Sequence, residues 1–160
     1  MIIFLQLPNE TNIKIVYIIA LLPFKKKIAR FGITTHRGPP APQITSTVEQ
    51  VYNITLNVEP GVAAIIYMYV EPDYRSTGLG ELALEVISSI HAFQRCDFTI
   101  LVADDNGSGK LIEWYRTNGF EKAPLLQEMM GSPDGKFGTT MIRPTSVSQS
   151  FYDDCKIKWW

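Results

Sequence analysis

Arg75, Gly78 and Gly80 stand together in the run YMYVEPDYRSTGLG, Tyr67 to Gly80. Two glycines and an arginine at this spacing suit an anion: glycine lets backbone approach a ligand closely, and a guanidinium adds charge-assisted hydrogen bonds. An apolar β-rich stretch ends at Val70, and apolar positions at Leu79, Leu82, Ala83, Val86, Ile87 and Ile90 recur at helical steps beyond it. The order is therefore strand, turn, helix. Several N–H groups and the positive end of a helix dipole converge on one spot, as a phosphate or pyrophosphate requires. A second glycine pair, Gly107-Ser108-Gly109-Lys110, does not complete a nucleotide P-loop, since Asp104 and Leu111 stand where that motif needs Gly and Ser or Thr.

The elements that must position this spot follow from a chain of 160 residues, 46% hydrophobic and 19% charged, most simply one domain with a substantial core. A net charge of −1 gives no argument for nucleic acid or membrane as partner. Two cysteines, Cys96 and Cys155, make neither a disulfide framework nor a metal site, and are compatible with the cytoplasm or another reducing compartment as the default. Asn-x-Ser/Thr triplets at Asn9, Asn53 and Asn106 matter only in a secreted chain. The most apolar run, Ile15 to Phe24, holds ten residues, against roughly 20 for a membrane-spanning helix. Its charges Lys25 to Lys27 follow it rather than precede it, unlike a signal peptide.

Met1 to Pro8 reads as a first strand, and residues 13 to 31 are open between strand and helix. Gly38 to Pro42 (GPPAP) is a breaker that separates an irregular N-terminal third from a regular remainder. Val48 to Val58 is β-rich and is expected as a strand, forming a hairpin with a strand over Val62 to Val70. A helix is expected from about Thr77 to Gln94, a buried strand over Phe98 to Ala103, and a short helix from about Gly109 to Thr117. Ser108 is its candidate N-cap, and Asn118-Gly119 ends it. An apolar segment from Phe120 to Met130, a turn at Ser132 to Gly135, and a strand over Phe137 to Ile142 suggest a second hairpin. The tail from Ser146 to Trp160 has no clear assignment.

VEPDYRSTGLG at 70 to 80 and WYRTNGF at 114 to 120 together resemble the GNAT superfamily of acyl-CoA-dependent N-acyltransferases, whose signature Gln/Arg-x-x-Gly-x-Gly/Ala falls here on Arg75, Ser76, Thr77, Gly78, Leu79 and Gly80. The resemblance implies an α/β (α+β) fold: a mixed, mostly antiparallel twisted sheet, helices on both faces and a splayed central strand pair. It covers residues 46–144. Residues 1–45, where the family usually has a strand and two helices, match poorly, and 145–160 form a C-terminal tail. A short, unusual N-terminus also admits a truncated chain.

The implied activity is acetyl transfer from acetyl-CoA to a primary amine by direct attack, with no metal. The pyrophosphate of coenzyme A would lie on the glycine turn, and backbone at Met68, Tyr69 and Val70 would hold the pantetheine arm and supply an oxyanion donor. Tyr115, four residues before Gly119-Phe120, would protonate the departing thiolate. Relatives carry a cofactor-contacting Asn seven residues before that Tyr. Ser108 stands there, with Asn106 two residues earlier. Some ribosomal-protein alanine acetyltransferases use a fifth-strand Glu as base, and here that place is Ala103. Glu71, Asp104, Asp105 and His91 are the visible alternatives, Glu71 being the nearest in sequence, as is a base acting through water. Acidic groups at Glu71, Asp104 and Asp105 would favour a cationic amine. The acceptor is a small molecule or a protein, and the chain a monomer or homodimer. The alternative is an acyl-CoA-binding module without catalysis.

Overall fold

The computed structural model describes residues 2–6, 13–20, 26–34, 41–130, 138–145 and 156–159. The N-terminal third begins with three strands, β1 (Ile2–Gln6), β2 (Ile13–Ala20) and β3 (Lys26–Thr34). Of the range 13–31 left open between strand and helix, the described parts, 13–20 and 26–31, are strand: Val16, Ile18, Ala29, Phe31 and Ile33 alternate into one core face. The first helix, α1, is Pro42–Tyr52, followed by β4 (Val62–Val70), a 3-10 turn at Pro72–Tyr74 and α2 (Leu79–Phe93). Next come β5 (Phe98–Ala103), α3 (Lys110–Thr117) and β6 (Glu121–Lys122). A 3-10 turn at Pro124–Leu126 leads into α4 (Gln127–Met130), then β7 (Thr139–Pro144) and β8 (Lys156–Trp159).

The described strands form one sheet of eight in the order β6-β7-β5-β4-β3-β2-β1-β8. Neighbours are antiparallel except β4 with β5 and β1 with β8. One face carries α2 and α3. There Leu84, Ile87, Ile90 and Tyr115 pack with Phe31, Ile33, Leu101 and Met141. The other carries α1 and the Pro124–Met130 turns, with Val48, Ala123 and Leu126 packed against Val62, Ile100 and Ile142. Each fully buried large side chain contributes about 1.5–3 kcal/mol. Among the described residues, no helix is long and apolar enough to cross a membrane.

The expected strand at Val48 to Val58 and its hairpin with β4 are not formed. Ile44, Val48, Val51 and Tyr52 lie at helical steps on one packed face, and this outweighs β-branched propensity. Pro42 stands at the helix start, Asn53 closes the helix in the left-handed region (φ 51°), and residues 54–61 are irregular. The second hairpin is reduced to two residues of β6, paired Glu121 to Ile142 and Lys122 to Met141. Pro124 removes a ladder donor there. Gln127 instead clips the turn to β7, accepting from Thr140 N at 2.9 Å and donating to Gly138 O at 2.8 Å. The expected turn at Ser132 to Gly135 lies outside the described residues.

The central pair splays. β4 and β5 pair only from Val62–Phe98 to Ile65–Leu101. Beyond this, residues 67–70 of β4 stay paired to β3 alone. The β3–β4 register slips at the same place, passing from Gly32–Tyr67 to Ile33–Ile65, so that Ile66 is a bulge. His91 pins the surroundings of the gap. Its Nε2–H donates to Thr34 O of β3 at 3.0 Å, and Nδ1 accepts from Thr99 Oγ1 of β5 at 2.8 Å. Arg143 adds a second long-range tie, donating to Leu84 O and Asn118 O, each at 3.0 Å.

Candidate active site

The free edge of β4 is defined by backbone alternation. Glu71 N donates to Ile28 O at 2.9 Å, so Glu71, Tyr69 and Tyr67 direct their main-chain groups to β3. Met68 and Val70 direct theirs into the gap beside β5. Val70 O accepts from Arg75 Nε at 3.0 Å, which ties the arginine to that edge. Of the three positions expected to hold an extended ligand, Met68 presents its backbone and Val70 its N–H to the gap, while Tyr69 is committed to the sheet.

At the end of β4 the chain turns twice. Tyr74 N and Arg75 N donate to Glu71 O and Pro72 O, and Thr77 Oγ1 donates to Tyr74 O at 2.6 Å. Ser76 and Gly78 lie in the left-handed region, at φ 58° and 81°. Gly78 is the N-cap residue of α2, and no side chain caps that helix. Its first-turn N–H groups therefore point outward unmatched by protein, and the place of a Gly78 Cβ is empty within 4 Å. Leu79 is buried and contributes backbone only.

Gly80 has a different task. A Cβ there would stand 2.9 Å from Cζ2 of Trp114, so glycine allows α3 to close on the start of α2. Trp114 Nε1 donates to Glu81 Oε1 at 2.8 Å across the same contact. Between the helices lies a cleft of about 520 Å³. It is walled by Met68 and Val70 of β4, Arg75 and Ser76 of the loop, Gly80 and Glu81 of α2, and Leu111 and Trp114 of α3. The structure thus brings together five residues predicted from sequence. It adds three that sequence reasoning missed, although Trp114 adjoins Tyr115 and sits three residues beyond Leu111 on the helix.

The other predicted residues lie around this cleft rather than among its walls. Tyr115 is only 6% exposed, with its ring edge-on to Trp114 and Phe120 at 4.9 and 5.4 Å. Burial pushes its phenol up to about 12. Glu71 sits where β4 meets the 3-10 turn. Asn106 and Ser108 belong to the loop before α3. Ser108 is not the N-cap: that is Gly109 at φ 73°, while Ser108 Oγ accepts from Lys110 N at 3.3 Å. Asp105 does the capping, accepting from Leu111 N at 3.2 Å and Gly107 N at 3.0 Å. Ala103 is buried at 2% exposure, and no carboxylate replaces it on β5. His91 is buried, and burial lowers its pKa to about 4, partly countered by the Thr34 bond and reinforced by Arg143. It is a neutral cross-brace, not a base for this cleft. No group of His, Cys, Asp or Glu side chains among the described residues could hold a metal ion.

No family model and no curated protein matches this sequence. Solved structures do match. A Klebsiella pneumoniae protein assigned as an acyl-CoA N-acyltransferase is 17% identical, with a TM-score of 0.59 over 88% of this chain and 77% of that one. Tetrahymena GCN5 is 14% identical at TM-score 0.55, over 87% and 72%. AtaTR, solved with acetyl-CoA bound, is 11% identical at TM-score 0.52, over 88% and 73%. The chain has the fold of the GNAT acyl-CoA N-acyltransferases.

Proposed function

We propose that the chain is an N-acetyltransferase that uses acetyl-CoA and acylates a primary amine by direct attack. The observation that carries this reading is the continuity of two unmatched backbone surfaces along one cleft. The uncapped start of α2 suits a pyrophosphate, and the free edge of β4 at Met68 and Val70 suits the amide-bearing pantetheine arm. Arg75 stands between them and complements the phosphates. That AtaTR, of the same fold, binds acetyl-CoA supports the assignment.

The thioester supplies an acyl carbon open to nucleophiles. The neutral amine nitrogen bonds to that carbon, the C–S bond breaks, and the electron pair leaves with sulfur. The nitrogen loses one proton and sulfur gains one. An N–H of Met68 or Val70 would donate to the carbonyl oxygen as its charge grows. Tyr115, with a phenol held protonated by burial, would act by donating a hydrogen bond to the developing thiolate. Complete transfer from a group near 12 to an ordinary thiolate is uphill. With Ala103 in place of a β5 carboxylate, the amine proton would leave through water or Glu71.

Tyr115→Phe tests the assignment: acetyl-CoA-dependent thiol release with a panel of amines should fall about 100-fold while coenzyme A affinity holds. An unchanged rate removes Tyr115 from the chemistry. The buried Ala103 favours a second reading, a binding module without catalysis. Acetyl-CoA binding without thiol release on any amine identifies it.

A further inference from the structure

The cofactor cleft and the opposite side of the sheet carry different chemistry. Met68 and Val70 pack with the α2 core, as do Val16, Ile18, Ala29 and Phe31. Strand alternation turns their neighbours Tyr17, Arg30, Tyr67 and Tyr69 to the other face. The register sets Tyr17 opposite Arg30 and Arg30 opposite Tyr69, in one row across β2, β3 and β4. The next row sets Gly32 opposite Tyr67, whose ring lies over the glycine where a Cβ would collide with it.

This row is cationic and aromatic. The Arg30 guanidinium lies 5.1 Å from the Tyr69 ring centroid, and that of Arg75 lies 5.8 Å from it. Lys27 Nζ is 4.0 Å from the Tyr17 ring, while Lys26 Nζ stands 5.6 Å from the ring of Tyr74, which packs with the α2 core and lies outside this row. A guanidinium stacked by its face keeps its in-plane N–H donors for a planar anion. Among the described residues none of these four cations is in an ion pair. Glu71 and Asp73 stand at the end of β4, on either side of Pro72. Arg30 is exposed, and Tyr67 is 39% exposed.

Tyr67 and Tyr69 belong to the splayed part of β4. With coenzyme A on the α2 face, an attacking amine must reach the thioester from the far side of the gap, past these residues. Of the three acidic groups that would draw a cationic amine, Asp105 caps α3 and Asp104 Oδ1 accepts from Asn106 N, which leaves Glu71 alone against the cations of this row. Resting on the acyltransfer reading, the geometry points to an acceptor surface for anionic amines, with Arg30 over Tyr69 and Lys27 over Tyr17 binding a carboxylate or phosphate carried by the acceptor.

The test uses three peptides of matched length, each with a free N-terminal amine and a C-terminal fluorophore. They carry two aspartates, two phosphoserines or two lysines. Anisotropy is read at low salt, with and without saturating coenzyme A. The aspartyl or phosphoseryl peptide should bind about fivefold tighter than the lysyl peptide, the gain shrinking with salt, and whichever anion binds better identifies its source. Arg30→Gln should erase most of that preference without changing the melting temperature or coenzyme A affinity. Equal or tighter binding of the lysyl peptide, or a preference that survives Arg30→Gln, overturns the proposal. Coenzyme A affinity is measured separately, so failure to bind it sinks the acyltransfer reading while the peptide ranking still reports on the surface.

Discussion

Lowering the pH should destabilise the fold through His91 in a defined window. The folded imidazole is held near 4 against an ordinary value of 6.5, chiefly because burial penalises its charged form. In the neutral ring Nδ1 accepts from Thr99 Oγ1 while Nε2–H donates to Thr34 O, so both nitrogens are satisfied without a charge. The unfolded chain therefore takes up a proton that the folded chain refuses. Stability is unaffected above pH 6.5, falls as the pH drops from 6.5 towards 4, and levels off below 4. The gap between the two pKa values corresponds to about 3 kcal/mol at the plateau and about 2.5 kcal/mol at pH 4.5. Carboxylates titrate over the lower part of this range too, so the assay is a difference. Urea unfolding is followed at pH 7.5, 6, 5 and 4.5 for the native chain and for His91→Gln, which has no ionisable ring. The variant starts less stable but should have the shallower slope, converging on the native chain by about 2.5 kcal/mol at pH 4.5. Parallel pH profiles would refute the claim that His91 remains neutral as a brace between β3 and β5.

Two further substitutions separate the turn from the cap. Gly78→Ala meets no neighbouring atom, so its cost is the left-handed backbone, about 1–2 kcal/mol by urea unfolding. If a pyrophosphate occupies the start of α2, calorimetry should show a larger proportional loss in coenzyme A affinity than in affinity for pantetheine, which lacks it. Asp105→Ala removes both carboxylate bonds at the start of α3 and should cost about 1 kcal/mol of stability. A loss below 0.3 kcal/mol in the same titration would mean that water caps the helix equally well.

What could be read from the sequence was what depends on neighbours in the chain. The spacing from Leu79 to Ile90 gave α2, the run FTILVA gave β5 with its observed ends, and Asn118-Gly119 gave the close of α3. Arg75 to Gly80 gave the turn because glycine at φ 81° is a local requirement. The second half of α1 was misread as the start of a strand because Val48, Val51, Tyr52, Ile54, Thr55 and Val58 are β-branched or aromatic. The helical phase of Val48, Val51 and Tyr52 becomes decisive only against Val62, Ile100 and Ile142, which lie elsewhere in the chain. The same holds within the site. Nothing local says that Gly80 makes room for Trp114, or that His91 reaches back to Thr34. Each depends on a contact between elements.

The site is positioned by two devices that act on the two ends of one strand. At its start β4 is held on both sides, by β5 over Val62 to Ile65 and by β3, and the His91 brace joins those two neighbours beneath it. At its end β4 is held by β3 alone, and the bulge at Ile66 marks the change. The splay is thus localised where the ladder must run out, and the backbone that Met68 and Val70 turn to the gap follows from it without any special side chain. The phosphate end is fixed separately, by a glycine that starts α2 and another that lets Trp114 close on it. Because Arg75 binds Val70 O while walling the same cleft, it couples the two devices. A ligand spanning both would meet a preformed edge at one end and a preformed helix start at the other. On the proposed reading, acceptor choice falls to the opposite face, where Tyr17, Arg30 and Tyr69 stand in one row.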